Sequence, residues 1–186
     1  MKISRAKTIC FRSTISLKRG EIPAVTGFTL VEILIVVIIL GILASIIIPK
    51  FSTATVEARE NMTKENLRII RTQIATYRAQ HWDISPGYDA GGNPDEQAFI
   101  DQMTMFTDED GNTNAIASAV FKYGPYLSEI PENPLNVKTS INMIADGAGM
   151  PAAATDNDGW VYKPEDIIFR ADSPGNDMTG RSYFSY

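Results

Sequence analysis

Residues 28–48 read FTLVEILIVVIILGILASIII, and the reading of this stretch organises the rest of the chain. It carries one charge, Glu32, and at ~1.5 Å per helical residue it reaches roughly 30 Å, the thickness of a bilayer core. Upstream, Lys2, Arg5, Lys7, Arg12, Lys18 and Arg19 face the single acid Glu21. Of the chain's 17 basic and 22 acidic side chains this leaves 11 and 21 for residues 28–186, a net charge of −10. The basic end is expected to stay cytoplasmic and the acidic body to lie on the far side of the membrane. An acidic body repels phosphate backbones, so no nucleic-acid partner is expected.

Such a segment has three readings. A secretory signal peptide would be cut near Ser52, Thr53 and Ala54, but its apolar core is ordinarily shorter and an extended cleavage site would follow, whereas here helical periodicity continues past Pro49. A plain anchor fits the length and leaves Glu32 without a purpose. A carboxylate in an apolar segment costs on the order of a few kcal/mol and calls for a partner. Gly27 offers an unhindered peptide bond at the edge of the basic leader. Cleavage there would place a new amino group on Phe28, and Glu32 could neutralise it.

The run Gly27-Phe28-Thr29-Leu30-Val31-Glu32, with the aliphatic helix and its Gly41 and Pro49, resembles the N-terminus of type IV pilins and of type II secretion pseudopilins. The resemblance implies that a prepilin peptidase cleaves after Gly27 and that Phe28 is N-methylated. It implies that Glu32 pairs with the Phe28 amine of a neighbouring pilin-like subunit as a filament grows from an inner-membrane assembly platform. The organisation expected is a leader over 1–27, a transmembrane and assembly helix over 28–50, and a periplasmic head over 51–186. The filament would lie in the periplasm or at the cell surface. Gly41 and Pro49 are the expected weak points of the helix, which is either jointed or bent there.

Beyond Pro49, Leu67, Ile70, Ile74, Tyr77 and His81 recur at spacings of three and four, which predicts an amphipathic helix over 52–82 with a core-facing stripe. Asn93 as cap and Pro94 at the first position predict a short helix over 94–106. Strand signals at 139–144, 160–162 and 167–170 predict a small antiparallel sheet laid on the long helix, an α+β head of the pilin-like class. Tyr123-Gly124-Pro125-Tyr126, Asn133-Pro134-Leu135 and Gly159-Trp160-Val161-Tyr162 look similar to the major (G-type) pseudopilins, and no cysteine beyond Cys10 exists to form the C-terminal pair common in type IV pilins.

An enzyme is disfavoured: the body holds His81 as its one histidine, no nucleophile motif and no phosphate-binding glycine loop. Major pseudopilins hold calcium in a C-terminal loop, and the resemblance marks Asp156, Asp158, Asp172 and Asp177 as calcium candidates, with Asp108-Glu109-Asp110-Gly111-Asn112 a second oxygen-rich run. The same residues are also ordinary turn formers. A secretion pseudopilus subunit is the leading expectation and a type IV pilus subunit for adhesion, motility or DNA uptake the alternative.

Overall fold

The computed structural model describes residues 27–186, so the leader falls, except for Gly27, outside the described residues. The chain divides into two units, the first ending at Ala44 and the second running from Ser45 to Tyr186. Helix α1 is assigned over Leu30–Gln80 and stays helical through Pro49. Proline removes one bond from the ladder, and the turns on either side keep the helical backbone, so no break separates 28–50 from 52–82.

In the second unit α1 buries a stripe that begins earlier than periodicity suggested. Glu60, Thr63, Leu67, Ile70, Ile74, Tyr77 and His81 are all buried, the first two being polar residues that continue the three-four spacing. Thr63 donates to the Arg59 carbonyl at 2.8 Å and Glu60 accepts from the Tyr183 hydroxyl at 3.0 Å, so neither is buried unsatisfied. The four apolar residues alone contribute burial on the order of 1.5–3 kcal/mol each.

Helix α2, Glu96–Thr104, is shorter than expected, and its cap is Asp95, whose carboxylate accepts from the Ala98 amide at 2.8 Å. Asn93 is instead held by the Asp89 carboxylate, and Pro94 bridges to Tyr88, which moves the start of the helix downstream. Phe99 and Met103 are its buried residues. The segment from Phe106 to Asn114, which holds the oxygen-rich run over 108–112, is a small hairpin: β1 (Phe106–Thr107) pairs antiparallel with β2 (Thr113–Asn114) around the Asp108 turn.

The three expected strands form as β3 (Ile141–Met143), β4 (Trp160–Lys163) and β5 (Ile168–Ala171), in the order β3-β4-β5. The sheet is mixed rather than wholly antiparallel. β4 and β5 are antiparallel, whereas β3 runs parallel to β4 with Ile141 opposite Trp160. The reason is the connection over 144–159, long enough to return the chain to the same end of the sheet, as a parallel pair requires. The central strand β4 is buried along its whole length, Lys163 included, whose ammonium sits 2.7 Å from Asp166 and 3.2 Å from Glu165. One core joins Leu67, Ile70, Ile74 and Tyr77 of α1 to Phe99, Trp160, Tyr162 and Phe169. The α+β class and the long helix packed on a small sheet are as expected.

Candidate assembly site

The start of α1 is built by Thr29 and Glu32. The Thr29 hydroxyl accepts from the Glu32 amide at 3.2 Å, and the Thr29 amide donates to the Glu32 carboxylate at 3.4 Å. This is the reciprocal capping box, legible in the sequence as Thr-x-x-Glu, and it gives Glu32 a local role beside that of an acid in an apolar segment. Glu32 therefore closes its own helix terminus while its carboxylate stays at the exposed N-terminal end of the chain's apolar helix, four residues from Phe28.

Among the described residues that helix buries none of its apolar run. Its apolar side chains from Leu30 to Ile48 are all exposed, from 83% at Leu30 to 45% at Ile47, and none of its most apolar window is buried. A solvated surface of this extent is ruled out for a stable soluble chain, so lipid or other helices must cover it. The length and composition suit a membrane anchor. A Cβ added at Gly41 would meet no atom within 4 Å, so nothing in a single copy demands glycine there.

The calcium candidates divide. Asp172 is buried and its carboxylate accepts from the Thr155 amide (2.6 Å), the Thr155 hydroxyl (2.7 Å) and the amides of Asn157 and Asp158 (both 3.2 Å). Burial opposes its ionisation, but these hydrogen bonds outweigh it and hold the carboxyl below its ordinary value. Asp177 lies in a different turn, where it accepts from the Thr179 hydroxyl, the amides of Thr179 and Arg181 and the Tyr186 hydroxyl, with Lys64 at 3.5 Å. The Thr179 hydroxyl foremost, then the Arg181 amide, hold this carboxyl far below the usual range. Asp108 likewise closes its own hairpin, accepting from the amides of Asp110 and Asn112.

Among the described residues no group of three or more His, Cys, Asp or Glu side chains is placed to hold a metal ion. What draws the 155–158 loop together is Asn136, which sequence reasoning did not single out. Its amide nitrogen donates to the Asp156 carboxylate (3.0 Å) and to the carbonyls of Asp158 (2.8 Å) and Asp172 (3.1 Å), while Lys138 donates to the Asp156 carbonyl. The Asn136 side-chain oxygen is buried without a partner. The one histidine is structural: His81 stacks on Tyr77 with ring centroids 3.8 Å apart and bonds the Tyr77 carbonyl (2.7 Å) and the Thr107 hydroxyl (2.9 Å).

Residues 23–48 match the prokaryotic N-terminal methylation motif. The chain is also 33% identical over 57 residues to the type II secretion system core protein G of Pseudomonas aeruginosa, covering 31% of this chain and 40% of that relative. It is 29% identical over 135 residues to the type IV major pilin protein PilA of Myxococcus xanthus, covering 73% of this chain and 51% of that one. The motif and both relatives support a pilin-like reading of the chain. It spans about half the length, or less, of these two relatives, and no solved structure matches it significantly. The matched motif ends at Ile48, within the exposed apolar run of α1.

Proposed function

We propose that this pilin-like protein is a structural subunit of a type II secretion pseudopilus. Prepilin peptidase cleaves after Gly27, Phe28 is N-methylated, and Glu32 receives the Phe28 amine of the neighbouring copy during assembly from the inner-membrane platform, the head lying in the periplasm. The single observation behind this reading is the apolar helix, capped by Thr29 and Glu32 and exposed along its whole apolar run among the described residues. Copies of the same helix are the natural cover, and Gly41, with open space where a Cβ would stand, lets a neighbouring backbone approach. The Glu32 carboxylate, which takes one hydrogen bond from the Thr29 amide, and a new amino terminus are matched charges in a low-dielectric setting.

The mass and N-terminal sequence of the membrane-extracted protein test the reading. A chain beginning at N-methylated Phe28 is expected; a start at or after Ala54, or an intact Met1, overturns it. Glu32→Ala is expected to leave cleavage intact and abolish filaments, and filaments of normal length from that variant would remove the pairing role.

A surface type IV pilus subunit is the second reading, favoured by the 135-residue overlap with a type IV major pilin. A deletion strain separates them: loss of secreted proteins marks the pseudopilus, and loss of surface filaments with secretion intact marks the pilus. Calcium bears on the same choice. The Asp156 carboxylate and the carbonyls of Asp158 and Asp172 converge beside an unpartnered amide oxygen, an oxygen set that suits calcium if the Asn136 amide is turned. In this proposal Asp177 belongs to its own turn and not to the site. Raised thermal stability on adding calcium after chelation is expected, and an unchanged melting curve would take this support from the secretion reading.

A further inference from the structure

The head carries two faces of opposite character on opposite sides of α1. At 3.6 residues per turn, Lys64 and Arg71 lie roughly 160° around the helix from Arg59, Met62 and Asn66. On the first side, Lys64 and Arg71 meet Arg170 and Arg181 over the C-terminal segment. Arg71 donates to the Tyr186 main-chain oxygen at 2.6 Å, Lys64 and Arg181 lie 4.5 and 5.5 Å from the centre of the Tyr186 ring, and Arg170 lies 5.4 Å from that of Phe184. Partial desolvation, then the nearby charges of Arg170 and Arg181, lower the Arg71 pKa. Of these four cations only Lys64 has an ion-pair partner among the described residues, Asp177 at 3.5 Å. Beside them Met178 is 61% exposed.

On the second side a groove of about 460 Å³ is lined by the apolar Met62, Pro131, Pro134 and Val137, by Asn66, and by two acids, Glu129 and Glu132, against one cation, Arg59. Both acids are exposed, and neither side chain forms an ion pair with a described residue. Val137 is 63% exposed and holds φ at 60°, a left-handed conformation that a β-branched residue adopts only under constraint. The constraint is visible: the Val137 amide donates to the Asn133 carbonyl at 2.8 Å, and the fully buried Asn133 side chain is fastened to Gly159 and Ser173. The fold thus holds an apolar side chain outward in the same groove as the two acids.

We propose that these faces are the two halves of one contact between copies, in which Glu129 and Glu132 of one head receive Lys64, Arg170 and Arg181 of the next while Val137 and Met62 pack on Met178. The contact is heterologous, with different surfaces on each partner, so it propagates into an open series instead of closing as a dimer. It deepens the filament reading and rests on it, by naming the head surfaces that meet in addition to the apolar helices.

Disulfide trapping in the full-length, membrane-expressed protein tests it, in a Cys10→Ser background. Val137→Cys together with Met178→Cys is expected to give a ladder of dimers, trimers and higher species on oxidation, and each substitution alone only monomer. Glu129→Lys with Glu132→Lys is expected to weaken the ladder about tenfold or more, through like charges across the contact. Adding Arg170→Glu and Arg181→Glu to the same chain is expected to restore it. Dimers from either single cysteine, or monomers from the pair, overturn the contact. If filaments beginning at methylated Phe28 are present in that monomeric preparation, the filament reading survives; if Phe28 processing fails as well, both fall.

Discussion

The two halves of α1 differ in where their apolar side chains go. From Leu30 to Ile48 the helix is apolar on every face and, among the described residues, buries none of it, whereas from Glu60 to His81 it buries one narrow stripe and leaves a mostly polar remainder exposed, Met62 and Ile69 being the large apolar exceptions. The first pattern is that of a helix whose partners lie in other molecules or in lipid, and the second that of a helix docked on its own domain. One stretch of uninterrupted helix thus serves two solvents, and the periodicity of its apolar residues says which.

Substitutions sharpen that contrast. Trp160 is fully buried and its indole donates to the Pro131 carbonyl at 2.9 Å, so Trp160→Ala is expected to cost about 3–5 kcal/mol and to unfold the head well below the native melting temperature. Ile38→Ala, an equally apolar truncation in the first half, is expected to leave head melting unchanged and to act on assembly alone. A shift of head melting from Ile38→Ala, or none from Trp160→Ala, would break the division.

Gly159→Ala is expected to be nearly as damaging, since its Cβ would overlap the Lys138 carbonyl where the chain enters β4. Far-ultraviolet circular dichroism with thermal melting checks this, and a fall of several degrees is the expected outcome. A smaller effect belongs to Asp177. Its folded pKa lies below the unfolded value of about 3.9, so its stabilisation is present above roughly pH 4 and is lost as pH falls through the folded pKa. Asp177→Asn is expected to lower the melting temperature at neutral pH and to lessen the loss of stability on strong acidification. A parallel pH profile in the variant would assign the acid sensitivity to other carboxylates.

Much of this was legible before any coordinates. The stripe of Leu67, Ile70, Ile74, Tyr77 and His81 is buried as its spacing required, because a three-four recurrence puts side chains on one helical face whatever packs against it. The three strand segments appeared within a residue or two of their expected places, since β-branched and aromatic runs between turn formers favour extended backbone. The Thr29 and Glu32 capping box was legible too, as a local pattern across one helical turn.

What the sequence determined by itself was local or long-range in one dimension: the span, the charge asymmetry around it, the processing motif and the faces of the helices. Tertiary structure alone decided the parallel pairing of β3 with β4, the hub formed by Asn136 over the 155–158 loop, the separation of Asp177 from Asp172, and the placing of a basic and an acid-lined face on opposite sides of α1. These depend on which distant segments meet. Many partners satisfy a strand edge, a side-chain amide or a carboxylate equally well, so the choice falls to the packing of the whole core.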